Sequence, residues 1–284
     1  MSIVIDTPYR STRGRKPSRP AFYFALHNDD DGGTSVVDRF GNAAALALQG
    51  TLGASWTAAR GYWRPNGTDQ HAITGTTNEY AAQTVIAPAV LTPGQALLVA
   101  WRIRWPATKV SSTESVLQIG RNNANSAWLQ ARHAVGGPMG IALFGVGASG
   151  SSSTTFGSSS LYLTATDHVC MLHVEAIASG VRVNAFLDGV AVGSQSDLLW
   201  TANGGAVPSV NTFAMPDGIT VAALRSGSNP ASPAWSQRLG SSQTADLSWI
   251  CAVNLAAANL SLAGSIALEL HQYPRHIGEI LASF

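Results

Sequence analysis

Apolar and polar residues alternate most strictly over 181–187, with Val181, Val183, Ala185 and Leu187 on one side of an extended chain. Arg182 and Asn184 fall on the other side, and Phe186 is the exception. Successive side chains leave opposite faces of a pleat, so this pattern predicts a half-buried strand. Asp188 and Gly189 supply the positive-φ residues of a two-residue turn, and residues 190–192 predict the return strand. Residues 168–178 alternate too, with Cys170, Leu172, Val174 and Ala176 inward and Met171, His173 and Glu175 outward. Ser179 and Gly180 predict a second tight turn between the two. Three antiparallel strands in succession form a meander, and a meander buries little unless a second sheet covers it.

Short runs with strand character lie upstream, at 21–26, 45–48, 95–105, 116–120, 127–130 and 139–144, with the segments 54–56, 62–64 and the more polar 66–73 between the second and third of them. Gly, Asp, Asn and Pro separate them, as hairpin connections require. Trp249 opens a further apolar strand, and helical period is confined to the last dozen residues. Residues 145–160 are rich in Gly, Ser and Thr and predict an exposed, flexible loop. Residues 201–216 and 225–239 are longer irregular insertions, which suit binding surfaces or contact with neighbours.

Composition narrows the class. The 284 residues are 45% hydrophobic and 12% charged, with 28 Gly and 13 Pro, the profile of a folded all-β chain with many turns. The net charge of +1 hides an asymmetry. Arg10, Arg13, Arg15, Lys16 and Arg19 against Asp6 give residues 1–20 a charge of +4, leaving 12 basic and 15 acidic residues, or −3, in the rest. Three prolines and five cations build no core, so 1–20 is expected to be an extended arm. Tyr9 and those five cations are its candidate anchoring residues. Residues 21–284 are expected to form one domain.

The order of these segments resembles the laminin-G-like, concanavalin A-like jelly rolls. That pattern opens with an apolar strand, an acidic Gly-rich turn and an Asp-x-x-Gly-Asn loop, matched by 21–26, 27–33 and Asp38 to Asn42. Trp56 and the Asn66 to Asp69 segment follow in place. Residues 95–105 resemble the long central strand, 168–192 the His-x-Val to Phe-x-Asp-Gly stretch, and 265–281 the closing strand and short helix. The resemblance spans about residues 21–284 and implies a two-sheet antiparallel sandwich. It implies little about function, because one such architecture hosts many.

Reaction chemistry is sparse in the sequence. A G-x-G-x-x-G run at 145–150 follows a strand but leads into serines, not into a helix whose N–H groups would hold phosphate. The five Glu residues, 79, 114, 175, 269 and 279, include none two or three places from another acid in a strand, which argues against paired-carboxylate glycoside hydrolysis. No G-x-S-x-G, H-E-x-x-H or C-x-x-C occurs, and the seven His are scattered. His271 and His276 flank Tyr273 and Pro274, where packing is expected. Cys170 and Cys251 lie in apolar runs and are expected to be buried free thiols. The one metal candidate is Asp29, Asp30 and Asp31, completed by Asp38 or by Asp69, an oxygen-rich set suited to Ca²⁺. No other cofactor is expected. Of the eight Trp, Trp200 and Trp235 lie in or beside long loops and are candidates to stack on a glycan or a partner subunit.

No cationic leader with an apolar core precedes the first strand, and no stretch reaches the roughly 18 apolar residues of a membrane span. The expected function is a non-catalytic structural virion protein, a bacteriophage capsid-decoration, head or tail component made in the host cytoplasm. It would dock on neighbouring capsid or tail subunits through its arm and form homo-oligomers. Arg outnumbers Lys fifteen to two, which suits bidentate interface contacts. The alternative is a glycan-binding receptor-recognition or adhesin module that engages a host surface glycan. A carbohydrate-active enzyme is less well supported. An acidic body, and an arm with one aromatic, argue against nucleic acid. If the arm is an anchor, deleting residues 1–20 abolishes assembly in sedimentation while the remaining domain still melts cooperatively. Unchanged assembly would remove that role.

Overall fold

The computed structural model describes residues 21–26, 35–41, 43, 45–51, 56–57, 62–74, 92–107, 111–120, 128–207, 219–226, 234–241 and 244–283. The expected arm lies outside them. In chain order the strands are β1 Ala21–Ala25, β2 Ser35–Val36, β3 Leu46–Gln49, β4 Trp56–Thr57, β5 Tyr62–Trp63, β6 His71–Thr74, β7 Ala96–Arg104, β8 Glu114–Ile119 and β9 Trp128–His133. They continue with β10 Met139–Phe144, β11 Ser152–Phe156, β12 Asp167–Ile177, β13 Gly180–Leu187, β14 Val190–Leu199, β15 Ile219–Val221, β16 Leu224–Ser226, β17 Ala234–Ser236 and β18 Asp246–Leu255. The helices are α1 Ser159–Tyr162, α2 Leu260–Gln272 and α3 Ile277–Ser283.

Two eight-stranded sheets form the body. One runs β14-β13-β12-β7-β18-β5-β4, with β1 also paired to β18, and the other runs β11-β10-β9-β8-β15-β6-β3-β2. The pairings along β7, β12, β13 and β18 are antiparallel. The architecture is therefore the expected all-β jelly-roll sandwich.

The central strands of the first sheet, β7, β12 and β18, are covered on both faces. Leu97, Val99, Trp101 and Ile103 of β7 point into the core between the sheets, with Cys170, Leu172, Val174, Val181, Val183, Ala185 and Leu187. Leu98, Ala100, Val169, Met171 and Phe186 point the other way, against α2 and α3. Phe186, which breaks the polar side of the alternation, is thus an apolar residue of the second core. All ten residues of β18 are buried. A register shift between Leu247 and Trp249 puts these two on opposite faces, as one inserted residue in a strand must.

The C-terminal segment differs from expectation. Residues 265–281 hold no strand; β18 is the closing strand, and α2 and α3 follow it. Ile266, Leu268 and Leu270 mimic strand alternation, but Ala263, Ile266, Ala267 and Leu270 are the buried set, at helical spacing, and Leu268 is exposed. The Asn259 side chain caps α2 by accepting the Leu262 N–H at 2.9 Å.

Two loop expectations also change. Residues 145–160 carry strand β11, paired with β10, and the short α1. β14 runs on to Leu199, and the next residue, Trp200, donates its backbone N–H to Ser179 (3.0 Å). The Trp200 ring is fully buried in the inter-sheet core and offers no face to a glycan. The Asp188-Gly189 turn is as expected, with φ of 52° and 82°. Cys170 faces the inter-sheet core and Cys251 the helical side, so the two thiols are free and separated by the sheet itself. Burial pushes both thiols well above their usual range.

His133 is completely buried among Trp101, Trp105 and Tyr162. Its Nδ1–H donates to the Gly137 carbonyl at 2.7 Å, and its Nε2 accepts from the Trp101 indole N–H at 3.2 Å. Burial lowers its pKa to about 4, with nearby His168 acting in the same direction. The folded protein therefore resists a proton that the unfolded chain takes up at the ordinary histidine value. Stability falls as pH drops from about 6.5 towards 4, by up to roughly 3 kcal/mol from this residue. His173, also lowered by burial, adds to the same slope. Urea midpoints at pH 7 and pH 4.5 check this: the wild type loses stability over the interval, and His133→Gln flattens the loss. A wild-type midpoint that does not move would contradict it.

Candidate functional site at one end of the sandwich

Several charged residues stand at strand ends, and register brings Arg64, Arg104 and Asp246 together at one of them. Asp246 begins β18 directly across from Arg104, the last residue of β7. On the other side of β18, Leu247 pairs with Trp63 of β5, which brings Arg64 alongside. Arg64 Nε donates to Asp246 Oδ1 at 2.6 Å, and Arg104 donates twice to Oδ2, at 3.0 and 2.7 Å. The carboxylate is nearly buried, while each guanidinium is about a third exposed. Both guanidiniums also lie over the Tyr62 ring, 5.3 and 5.0 Å from its centroid. Their hydrogen bonds to Asp246 raise both arginine pKa values. Two cations on one carboxylate leave one positive charge over, beside a cleft of about 210 Å³ that Trp105, Pro106, Ala165 and Thr244 complete.

A second, larger cleft of about 460 Å³ is lined by Gly67, Ser112, Thr113, Ser236, Gln237, Arg238 and Ser241. Its lining is hydroxyl, amide and guanidinium. Glu114, fully buried at the start of β8, holds one wall by accepting the Gly240 N–H at 2.6 Å and the Ser241 hydroxyl at 3.2 Å. Gln237 adopts φ +46°, unusual for a residue with a side chain. It is held there because its carbonyl accepts the Ser115 N–H (2.7 Å) and its side-chain oxygen accepts from buried Gln130 (2.7 Å). The amide –NH₂ of Gln237 is then the donor left to the cleft. Burial lowers the Arg238 pKa, and the Asp69 carboxylate opposes that shift.

The other wall is the Asn66–Asp69 turn. Asn66 Oδ1 accepts the backbone N–H groups of Thr68, Asp69 and Gln70 at 3.0–3.1 Å. Asp69 accepts from the Asn66 amide and the Thr51 N–H, and these hold its pKa below the usual value. Gly67 sits at φ +70° against the backbone of Gly240; a Cβ there would lie 2.3 Å from the Gly240 carbonyl oxygen.

Comparisons with known proteins bear on the fold. No protein-family model matches the chain, and no curated protein matches it. Among solved structures, a Trypanosoma rangeli sialidase complex is similar at TM-score 0.53 and 13% identity, over 97% of this chain and 36% of that one. A botulinum neurotoxin type C structure, whose cell entry is described as dependent on two ganglioside molecules, is similar at TM-score 0.51 and 11% identity, over 89% and 51%. The receptor-binding domain of botulinum neurotoxin mosaic serotype C/D follows at 0.50 and 10%, over 87% and 50%. At such identities the likeness is one of fold alone. The chain spans between about a third and a half of the proteins it matches.

Of the residues picked out by sequence, Asp69 stands in a wall of this site, and the others are placed elsewhere or lie outside the described residues. Asp29, Asp30 and Asp31 lie outside the described residues, as do Tyr9, Arg10, Arg13, Arg15, Lys16 and Arg19. Asp38 is buried, and its carboxylate accepts the backbone N–H groups of Tyr23, Phe40 and Ala43 at 2.8–3.1 Å, which ties its turn to β1. Asp69 braces a turn. Among the described residues no three His, Cys, Asp or Glu side chains group to hold a metal. Trp200 is core, and Trp235 lies on β17. Sequence reasoning missed Arg64, Arg104 and Asp246, which are 182 and 142 positions apart and meet only through strand register. Gln237 and Arg238 lie in the 225–239 segment expected to suit a binding surface, but they carry no motif that singles them out.

The Gly67–Gly240 contact sets the width of the larger cleft. Gly67→Ala adds both a strained φ and a backbone clash, so it should cost more than about 1 kcal/mol in urea denaturation. A variant as stable as the wild type would show that the two turns do not touch in solution.

Proposed function

We propose that this chain is a carbohydrate-binding module and that the 460 Å³ cleft is its saccharide site. The observation that carries the reading is the lining: four hydroxyl side chains, one amide and one guanidinium around a concave surface of small-ligand size. An apolar ligand would leave these groups unpaired at a cost of about 1–3 kcal/mol each, whereas sugar hydroxyls both donate to and accept from them. None of the residues lining the cleft is aromatic, so recognition here would be by hydrogen bonds. The positive cleft at Arg64 and Arg104 favours a saccharide that also bears an acidic group. Proteins of similar fold include toxin binding domains, one described with gangliosides, and a sialidase, and this supports the reading by analogy of fold. The virion reading rests on the arm, which lies outside the described residues, and draws nothing from these similar structures.

Screening the full chain on a glycan array, followed by calorimetry on the strongest saccharide, tests the proposal. Arg238→Ala should weaken binding about tenfold or more while the melting temperature stays near that of the wild type; Gln237→Ala should weaken binding as much but also lower the melting temperature, because buried Gln130 loses its acceptor. Binding that survives both substitutions, or a chain that captures no saccharide, would overturn it.

A further inference from the structure

A third group of side chains lies at the same end of the sandwich, outside both clefts. β12 and β13 pair so that Cys170 faces Leu187, which sets the next residue, Asp188, beside the start of β12. The Asp188 N–H donates to the Val169 carbonyl, and Asp188 Oδ1 accepts the Val169 N–H, both at 2.8 Å. Asp188 Oδ2 lies 2.7 Å from His168 Nδ1, and His168 Nε2 lies 2.6 Å from Thr164 Oγ1. His271 of α2 stands on the other side of the same carboxylate, its Nδ1 3.5 Å from Oδ1. The carboxylate sets the imidazole tautomer: Nδ1 carries the proton, and Nε2 presents a lone pair to the Thr164 hydroxyl. Burial works against the Asp188 charge, but the hydrogen bonds from His168 and Val169 outweigh it and hold the carboxyl below its ordinary value.

These three residues have the relative positions of a nucleophile, a general base and the group that orients the base. Their exposure is graded accordingly: His168 is nearly buried, Asp188 half-buried and Thr164 open to solvent. The next residue, Ala165, is held at φ +59°, where a side chain is uncommon, and it lines the cleft beside Arg64 and Arg104. The hydroxyl therefore stands one residue from a pocket that carries an excess positive charge. Thr166, whose hydroxyl is 2.7 Å from that of Thr164, steadies the loop.

We propose that Thr164, His168 and Asp188 form an acyl-transfer relay acting on an ester whose anionic group is anchored at Arg64 and Arg104. Thr164 Oγ1 attacks the ester carbonyl carbon as its proton passes to His168 Nε2. The ester C–O bond then breaks, and the leaving alcohol takes that proton. Water, deprotonated by His168, cleaves the acyl-threonine to release the carboxylic acid and restore the hydroxyl. Thr164 and His168 are the catalytic residues, and Asp188 is a positioning residue. The inference goes beyond saccharide binding and does not depend on it.

The test is covalent labelling of the full chain with a small alkyl fluorophosphonate, in which Thr164 Oγ1 displaces fluoride from phosphorus, read by intact mass and peptide mapping. The wild type should take one adduct per chain, on Thr164. Thr164→Val, at an exposed position that leaves the fold intact, should take none, and Thr164→Ser should restore it. His168→Ala should slow labelling by about a hundredfold or more. Asp188→Asn should slow it too and also remove the low-field proton resonance of His168 Nδ1–H, which loss of packing alone would not single out. Absence of an adduct on the folded wild type, an adduct elsewhere, or labelling of Thr164 that is indifferent to His168→Ala would each overturn the proposal.

Discussion

Burial of β7, β12 and β18 on both faces is the constraint on which the rest of this molecule depends. One face meets the opposite sheet, and the other meets α2 and α3. A strand covered on both sides exposes no alternate polar row to water, and β18 is accordingly buried along all ten residues. The helices are thus a third layer of the core. They close over Leu98, Ala100, Met171 and Cys251, which a bare two-layer sandwich would leave to water. Burying side chains of that size contributes roughly 1.5–3 kcal/mol each for the larger ones, far more than any surface ion pair in the structure.

A core of this kind pushes charge and hydrogen-bonding groups to the strand ends. Asp246, Arg104, Asp167 and Glu114 are all terminal residues of their strands. Antiparallel register then decides which of them meet. Asp246 gains two arginines because β18 lies between β7 and β5, and Asp188 reaches His168 because a hairpin tip folds back onto the first residues of β12. The turns at this end are stiffened individually, Asn66 holding three backbone N–H groups and Glu114 holding the 240–241 turn. Clefts with fixed polar walls follow from that stiffness.

This division explains what could be read from the sequence. The alternation at 181–187, the Asp188-Gly189 turn and the long apolar run at 96–103 report local burial, and each appears where it was expected. The 265–281 segment misleads because Ile266, Leu268 and Leu270 alternate as in a strand while Ala263, Ile266, Ala267 and Leu270 follow the helical period, and only the partners on the first sheet choose between them. Trp200 was placed on a loop because nothing local shows that β14 extends to Leu199. The candidate sites were hidden for a different reason. Their members come from separate strands and loops, and no spacing along the chain encodes a cross-strand encounter. The His168–Asp188 contact was hidden by a one-residue error: the turn expected at Ser179 and Gly180 lies at 178–179, because Gly180 already pairs with Ile177, and only that register sets residue 188 opposite residue 169.

The central claim is that ligands meet this protein at the end where β5, β7, β8 and β18 begin or finish. Hydrogen–deuterium exchange of the full chain, with and without the saccharide that binds best, tests it most directly. The account predicts slow exchange throughout β7, β12 and β18 in both states, with new protection on saccharide binding confined to the segments around 62–70, 111–114 and 236–241. New protection along β14, on α2 or at the opposite end of the sandwich, with none in those three segments, would contradict it.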